Sequence, residues 1–297
     1  MRVSYTAGYW ISLPEGHAFP MAKYPLLYQR LNDEGLITEA RSPAPVSPEH
    51  LALVHTPEYL DQAERGILDR AAERRLGLPW SPALFLRARL AVQGTLDAAR
   101  LALEDGIAAN LAGGTHHAFA DHGEGFCVFN DVAVALRVLA REGTLGRALV
   151  LDLDVHQGNG TAAIFAGDPA VYTFSVHGER NYPFHKEQSR RDVGLPDGIG
   201  DHSYLETLER HLDEVLAEAR PDLVCYLAGV DVVAGDRYGR LALSRAGLEA
   251  REGLVLSKVK AAGAPLVLVL AGGYAASPEA TADLHAVVHR QARRVFG

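Results

Sequence analysis

The chain has 297 residues, of which 48% are hydrophobic and 22% are charged, and these values are ordinary for a globular protein. They exclude a disordered, collagen-like or coiled-coil chain. The formal net charge of −8 argues against sequence-independent binding to nucleic acid, because such binding needs a basic surface. An acidic chain remains compatible with a basic substrate such as a lysine side chain, a peptide tail or a polyamine.

Cysteine content and the longest apolar runs limit the class of protein further. The two cysteines, Cys127 and Cys225, are too few for a disulfide framework or an all-cysteine zinc site. The stretch Met1–Tyr5 is typical of a short apolar strand and has no signal-peptide core behind it. Every apolar run is much shorter than the roughly 20 residues that cross a bilayer, so we expect a soluble, cytoplasmic protein without a membrane span.

Short apolar runs alternate with amphipathic helical patterns along the chain. The predicted strands are Val3–Tyr5, Ile107–Leu111, Arg147–Leu153, Ala170–Val176, Asp222–Ala228 and Pro265–Ala271. The predicted helices are Pro82–Glu104, Asn130–Glu142, Ser203–Ala219, Ser244–Ala262 and Pro278–Phe296. Strands that are apolar throughout and alternate with helices indicate a parallel sheet that is covered on both faces.

The number of strand–helix units decides between the two architectures that such a sheet allows. Because the predicted strands do not form eight evenly spaced units, the pattern favours an open sheet over a closed barrel. No internal repeat, low-complexity tract or long linker divides the chain. We therefore expect one α/β domain over residues 1–297, with an open parallel sheet and helices on both of its faces.

Polar or titratable residues follow nearly every predicted strand. They are Gly113-Gly114-Thr115-His116-His117, the stretch from Asp152 to Gly160, His177, Gly229-Val230-Asp231 and Gly272-Gly273-Tyr274. In open α/β sheets, ligands bind beyond the carboxyl ends of the strands. The sequence therefore predicts that these groups meet at one edge of the sheet.

Two acids and one histidine alternate at the end of the third predicted strand. Strand side chains alternate, so Asp152, Asp154 and His156 are predicted to point to the same side. Their mixed oxygen and nitrogen donors suit zinc, iron, cobalt or manganese, and Asp231 would complete three ligands while leaving a position open for water. The alternative is a helix N-cap beside a satisfied buried histidine, but unpaired charge in an apolar strand is costly and favours the metal.

The adjacent histidines His116 and His117 follow a Gly-Gly turn, which allows close approach of the backbone to a ligand. Adjacent side chains cannot share one orientation, so we expect different partners, for which Asp152 and Asn159 are available. A carboxylate on one ring nitrogen fixes the tautomer and raises the basicity of the ring. These residues predict a general acid/base pair beside a metal-bound water, and the alternative is two surface histidines.

Three aromatic residues are candidates for contact with a substrate. Tyr274 follows a Gly-Gly pair, and its phenol is predicted to donate to a substrate carbonyl as negative charge develops there. The alternative for Tyr274 is a packing role. Phe126 is interpreted as a wall residue, and Tyr182 lies in an aromatic loop that lines a channel or packs on the surface.

These residues resemble the motifs of the zinc-dependent histone deacetylase family, also called the arginase/deacetylase superfamily. The matching stretches are Gly113–His117, Gly125–Asp131, Asp152–Gly160, Ala228–Asp231 with Gly235-Asp236, and Gly272–Tyr274. They occur in the family's order and spacing, and the resemblance runs from about Arg2 to about Val288. The stretches His156–Gly160 and Ala228–Arg237 look most like class IV deacetylases and their bacterial relatives.

The resemblance implies one histone-deacetylase-like catalytic domain over residues 1–297 with a single catalytic zinc ion. The implied zinc ligands are Asp154, His156 and Asp231. It also implies that Tyr274 polarises the acyl carbonyl.

The resemblance gives the two histidines different roles. His117 is implied as the principal general base and acid, His116 as its electrostatic partner, and Asp152 as the residue that orients His116. Asn159 stands where many family members carry aspartate, so we expect a weaker orienter and a less elevated pKa for His117.

A substrate tunnel and monovalent-cation sites are also implied. The substrate-binding residues would be Gly125, Phe126, Tyr182 and Gly273, with Phe126 forming one wall of an acyl-lysine tunnel. An inner K⁺ or Na⁺ site would use Asp152, Asp154, His156, Ser175 and Val176. An outer site would lie near Phe165, Asp168 and Val171.

The expected activity is removal of acetyl or longer fatty acyl groups from lysine side chains or related amines by metal-activated water. The partner would be an acylated peptide, protein or small amine, without direct contact to nucleic acid, and homo-oligomer formation is left open. One alternative is an acetylpolyamine deacetylase, with Glu15, Asp121 and Glu124 as candidate acids at the tunnel mouth. Others are a non-enzymatic acyl-lysine binding module and a binuclear manganese ureohydrolase, although Gln157 and Gly158 would leave a second metal without ligands.

Overall fold

Eight strands form one sheet in which every neighbouring pair runs parallel. The computed structural model describes residues 1–297. In chain order the strands are β1 (Arg2–Ser4), β2 (Glu39–Arg41), β3 (Ile107–Asn110), β4 (Ala148–Asp152), β5 (Val171–Gly178), β6 (Arg191–Leu195), β7 (Leu223–Leu227) and β8 (Leu266–Val269). Their order across the sheet is β2-β1-β3-β8-β7-β4-β5-β6, which confirms the predicted open α/β architecture.

Ten α-helices and a short 3₁₀ helix, Ala7–Tyr9, connect the strands. The helices are α1 (Lys23–Asp33), α2 (Pro48–Leu51), α3 (Pro57–Arg65), α4 (Arg70–Leu76), α5 (Pro82–Asp105), α6 (Asp131–Arg141), α7 (Asn159–Ile164), α8 (Asp201–Ala219), α9 (Arg245–Ala261) and α10 (Pro278–Phe296). Local signals define α5: the Ser81 hydroxyl accepts from the Leu84 amide, Pro82 occupies the first turn, and left-handed Gly106 ends the helix. None of the helices combines the length and the hydropathy required to cross a membrane.

The strands β2 and β6 lie at the two edges of the sheet, and sequence patterns did not predict them. All three residues of β2 are exposed, and exposed and partly buried residues alternate along most of β6. Edge strands of this kind lack the continuous apolar run that marks a central strand. One prediction is corrected as a consequence: His177 lies inside β5 and not after it, because pairing with β6 extends β5 to Gly178.

The central strands β3, β4, β7 and β8 are buried at every residue, so both faces of the sheet are covered. Helix α5 packs on α6, while α8, α9, α10 and α1 pack one against the next. The resulting hydrophobic core contains 80 buried residues. Because β4, β7 and β8 are neighbours, the segments that leave their carboxyl ends emerge side by side.

A buried ion pair on α9 ties the segments after β4 and β7 together. The Arg251 guanidinium donates to the carbonyl oxygens of Leu153 at 3.0 Å and Gly229 at 2.8 Å. The Glu252 carboxylate balances this charge at 2.5 Å and accepts from the Tyr226 hydroxyl at 2.6 Å. Arg251 therefore bridges the two segments that carry the predicted metal ligands.

We expect Arg251→Met to lower the free energy of unfolding by about 3–5 kcal/mol, because Glu252 would remain as an uncompensated buried charge. Urea denaturation followed by circular dichroism measures the change. The matched control is Lys258→Met on the same helix, which removes a surface ion pair with Asp213 and should cost less than about 1 kcal/mol. Equally small losses in both variants would contradict the role of Arg251.

Candidate active site

A cavity of about 420 Å³ opens at the carboxyl edge of the sheet. Its lining includes His116 and His117 after β3, Asp154 and His156 after β4, and Tyr274 after β8. The volume lies within the range of roughly 300–1,000 Å³ that is typical of small-molecule sites. Strand-end residues that the sequence selects after β3, β4 and β8 therefore share one cavity, whereas His177 and Asp231 do not line it.

Three buried side chains at the cavity floor form a group suited to a metal ion. One ligand atom each from Asp154, His156 and Asp231 lies within 4.8 Å of the others. Strand alternation is not what brings them together, because β4 already ends at Asp152. Instead, a tight turn follows the strand. The Asp152 carboxylate accepts a hydrogen bond from the Asp154 amide at 3.1 Å, and the Asp154 carboxylate accepts one from the His156 amide at 2.9 Å. Asp152 itself binds His116 and lies outside the group.

The donor atoms of this group fit a bound cation. Oδ1 of Asp231 accepts from the Val155 amide at 2.9 Å, whereas its buried Oδ2 has no hydrogen-bond partner and lies 3.3 Å from Nδ1 of His156. Gly272 leaves the space beside that oxygen open, since a Cβ there would lie 2.0 Å from it. Burial and the nearby Asp154 raise the pKa of Asp231 to about 7. Burial lowers the pKa of His156, but both carboxylates outweigh it and raise the value to about 10, so the space between the two acids attracts a positive charge, which a proton on His156 or a bound cation can supply.

The two adjacent histidines leave the sheet on a turn held by buried Asp131. Gly113 and Gly114 adopt φ angles of 78° and 76°, the left-handed region that glycine favours. The Asp131 carboxylate accepts from the Gly114 amide at 3.0 Å and from the next amide at 2.7 Å. This turn directs the rings of His116 and His117 to different partners.

Hydrogen-bond direction determines the tautomer of His117. Its Nδ1 lies 2.7 Å from Oδ1 of Asn159, and Nδ2 of Asn159 donates to Oε1 of Glu124 at 2.8 Å. Burial raises the pKa of Glu124, but its hydrogen bonds outweigh this effect and lower the value to about 2, so the carboxylate only accepts. The amide oxygen of Asn159 consequently faces His117, whose Nδ1 carries the ring proton and whose Nε2 carries the lone pair.

The two histidines differ in protonation near neutral pH. Burial, followed by the charge on His116, lowers the pKa of His117 well below its usual value. Burial also lowers the pKa of His116, but the carboxylates of Asp152 and Asp154 outweigh it and raise the value to about 9. Asp152 binds Nδ1 of His116 at 2.7 Å. His117 is therefore a neutral imidazole beside a protonated His116.

Tyr274 lines the cavity on the segment after β8. Its amide donates to Oδ2 of Asp236 at 2.6 Å, which connects this segment to the one after β7. Burial, followed by the charges of Asp154 and Asp231, raises the pKa of Tyr274 well above its usual value. The phenol therefore stays protonated and is a hydrogen-bond donor.

Aromatic rings form the walls above the floor. The Phe126 and Tyr274 ring centroids are 5.9 Å apart, and the Tyr182 centroid lies 5.1 Å from that of His117. Gly125 also lines the cavity, whereas Gly273 does not. Tyr238 is a wall residue that the sequence analysis missed, because a single loop tyrosine carries no periodic signal.

The position of Glu124 also differs from the sequence-based expectation. It was a candidate acid at the tunnel mouth, but its carboxylate turns inward to Asn159 and does not line the cavity. Glu15 and Asp121 do not line the cavity either. Nothing in the local sequence indicates the Glu124–Asn159 contact, because the two residues are 35 positions apart.

The structure gives different surroundings to the residues of the two predicted monovalent-cation sites. Asp152 and Ser175 are register partners on β4 and β5, and the inner site stays a prediction. At the predicted outer site, Asp168 pairs with Arg137 at 2.5 Å, and the guanidinium lies 4.9 Å from the Phe165 ring centroid. An ion at the outer position would compete with that guanidinium.

Known proteins resemble this chain over nearly its whole length. Residues 17–290 match the sequence pattern of the histone deacetylase domain. The chain is 47% identical over 296 residues to an uncharacterized protein of Picosynechococcus sp., with 99% of each chain covered. It is 29% identical over 288 residues to histone deacetylase 2 of Arabidopsis thaliana, with 92% of this chain and 74% of that one covered. The crystal structure of an HDA15 HD domain has the same fold, with a TM-score of 0.79, 21% identity, and coverage of 99% of this chain and 88% of that chain.

We expect the purified protein to bind one divalent transition-metal ion per chain and Asp231→Ala to lose it, because this change removes one of three buried ligands. Elemental analysis by plasma mass spectrometry measures the ratio. Asp213→Ala, at an exposed carboxylate on α8, is the matched control and should retain the metal. Two tightly held manganese ions per chain would contradict a mononuclear site.

Proposed function

The chain belongs to the histone deacetylase family, and we propose that it is a metal-dependent hydrolase that removes acyl groups from lysine side chains or related primary amines. The observation that carries the proposal is a neutral His117 in one cavity with Asp154 and His156, which together with the adjoining Asp231 form a buried group that could hold a cation. Amide hydrolysis by water needs a base for the water and an electrophile for the carbonyl oxygen, and this cavity offers both.

Asp154, His156 and Asp231 would hold the metal, which we propose to be zinc because carboxylate and imidazole donors with an open position suit that ion. When bound, such an ion polarises a carbonyl oxygen and lowers the pKa of water. The carbonyl contacts of Arg251 link the two segments that would carry these ligands.

His117 moves the proton in this proposal. With Nδ1 bound to Asn159, Nε2 is free to take a proton from the attacking water as the new C–O bond forms. The same nitrogen then gives that proton to the amine as the C–N bond breaks, which leaves a carboxylic acid and a free amine. The positive charge on His116 stabilises the negative charge that develops on the tetrahedral intermediate.

Tyr274 supplies the hydrogen bond to the acyl oxygen. Since its phenol stays protonated, it can donate throughout the pH range in which His117 is neutral. This contact strengthens as the oxygen becomes negative, which is stabilisation of the transition state and not of the ground state.

Three alternatives are less well supported. An acetylpolyamine substrate would favour acids at the mouth, and none of the candidate acids lines the cavity. A binuclear site would need further ligands near His156, but the Gln157 side chain donates to the Glu187 carbonyl at 2.6 Å and to Asp192 at 2.8 Å. A non-catalytic binding module would not require the neutral base and phenol found here.

The proposed activity is tested with zinc-loaded protein on a panel of substrates. One peptide carrying acetyl-lysine or myristoyl-lysine, together with acetylspermidine, is assayed for release of free amine. We expect hydrolysis of an acyl-lysine peptide that is lost on chelation and restored by metal. The acyl group is proposed to be acetyl or a longer fatty acyl, and the ratio of kcat/KM between the two peptides decides its length. No release of amine from any substrate would remove the proposal.

We expect Tyr274→Phe to reduce kcat by about 10²–10³-fold with KM nearly unchanged, because one transition-state hydrogen bond is lost. The ring is kept, so metal content and thermal stability should match the wild type. Steady-state kinetics with a metal assay measures both. Wild-type turnover would show that Tyr274 is a packing residue.

We expect His117→Ala to lose more activity than His116→Ala, because a positioned acid/base group contributes about 10²–10⁴-fold. Both variants are compared in kcat/KM after their metal content has been shown to equal that of the wild type. His55→Ala is the control for burial alone, since His55 is a buried histidine that does not line the cavity. Equal small losses in both variants would contradict the assignment.

A further inference from the structure

The mouth of the cavity is basic although the chain as a whole carries a net charge of −8. Arg74 and Arg75 on α4, Arg180 after β5 and Arg240 after β7 are exposed and line the cavity. We call these four residues the arginine rim. The only carboxylate in the lining is that of Asp154, at the floor, so acids do not offset the rim within the cavity.

The arginine rim is only partly neutralised by the rest of the chain. Arg180 and Arg240 share one carboxylate, that of Asp197, at 4.0 Å and 3.4 Å. Arg74 and Arg75 take part in none of the ion pairs of the chain, although neighbouring arginines such as Arg65 do. Each free guanidinium offers five N–H donors in a planar fork. The rim therefore has donors available for an anionic ligand.

Hydrogen bonds hold the segments that carry the rim. The Arg75 carbonyl accepts from the Gly125 amide at 3.1 Å, so the end of α4 is attached to the aromatic wall. Nδ2 of Asn181 donates to the Tyr238 carbonyl at 2.6 Å, which joins the two loops that carry the other two arginines. The positive groups are thus kept around the opening through which a substrate enters.

We infer that the substrate carries carboxylates beside its acylated amine and that the arginine rim binds them. This inference rests on the proposed function and names the substrate class of the same cavity. Guanidinium and carboxylate groups match in charge and in bidentate geometry. The rim would repel an acylpolyamine, whose remaining amines are positive. The carboxylates belong either to an acidic peptide or to a small N-acylated amino acid, and both present the same chemistry to the rim.

The test compares peptides that differ only in the residues flanking one acyl-lysine: glutamate, glutamine or lysine. The small arm compares Nε-acyl-lysine bearing a free carboxylate with its amide. At low ionic strength we expect kcat/KM for the glutamate peptide to exceed that for the lysine peptide by about tenfold, and 0.5 M NaCl to reduce this ratio. A preference confined to the small arm would identify an N-acylated amino acid as the source.

Variants assign the preference to the rim. Arg74→Gln with Arg75→Gln should lower the glutamate-to-lysine ratio about three- to tenfold, and Arg74→Glu with Arg75→Glu should invert it. Arg210→Gln with Arg294→Gln, which removes two exposed arginines outside the cavity lining, should leave the ratio unchanged. Two results would overturn the inference. One is equal kcat/KM for the glutamate and lysine peptides together with equal kcat/KM for the free carboxylate and its amide. The other is a glutamate-to-lysine ratio that the rim variants do not change.

Binding measured separately distinguishes failure of the inference from failure of the proposed function. Fluorescence anisotropy gives the Kd of each labelled peptide without requiring turnover. Rim-dependent binding of the glutamate peptide without hydrolysis would support the inference while removing the proposed function. Hydrolysis of all peptides with equal Kd and equal kcat/KM would support the proposed function and overturn the inference.

Discussion

Burial of acidic side chains at the carboxyl edge of the sheet is the constraint on which the rest of the structure depends. Asp152, Asp154 and Asp231 are all buried, and an uncompensated carboxylate in such a place is costly. Asp152 is compensated by His116, and Asp154 by His156 and two backbone amides. Asp231 keeps one oxygen without a hydrogen-bond partner, 3.3 Å from Nδ1 of His156, so this oxygen is available to a cation.

The hydrogen bonds that run from Glu124 to His117 determine which nitrogen of His117 carries the ring proton. An aspartate bound to His117 would favour an imidazolium strongly, whereas the amide oxygen of Asn159 raises the pKa of His117 too little to outweigh burial and the charge on His116, so the ring stays neutral with its proton on Nδ1. The negative charge belongs to Glu124, which contacts the side-chain amide of Asn159 and not the imidazole of His117. Glu124 therefore orients that amide. His116 is bound directly to a carboxylate, that of Asp152, which stabilises the protonated ring.

Opposite charges are separated along the depth of the cavity. The floor carries the buried Asp154 carboxylate, and the mouth carries exposed guanidinium groups, with aromatic rings such as Phe126 between them. A substrate that enters this cavity meets positive charge first, then an apolar passage, and then the floor with Asp154 and the histidines. Each layer comes from several segments, so the gradient is a property of the folded chain and not of any one motif.

The central apolar strands along the chain, their parallel arrangement and the polar groups at their ends follow from the sequence, because an apolar run and the residues that end it are local patterns. The candidate metal-binding group is also indicated by the sequence, since Asp154 and His156 follow one predicted strand and Asp231 follows another, and the structure makes these two strands neighbours. Class IV character and the inner monovalent-cation site stay predictions. The sequence does not predict the edge strands β2 and β6, because exposed strands lack an apolar run. Only the tertiary structure decided that Glu124 faces Asn159, that Arg251 joins two loops and that arginines from three segments surround one opening. These contacts join residues far apart in the chain, and no local pattern encodes the relative position of two segments.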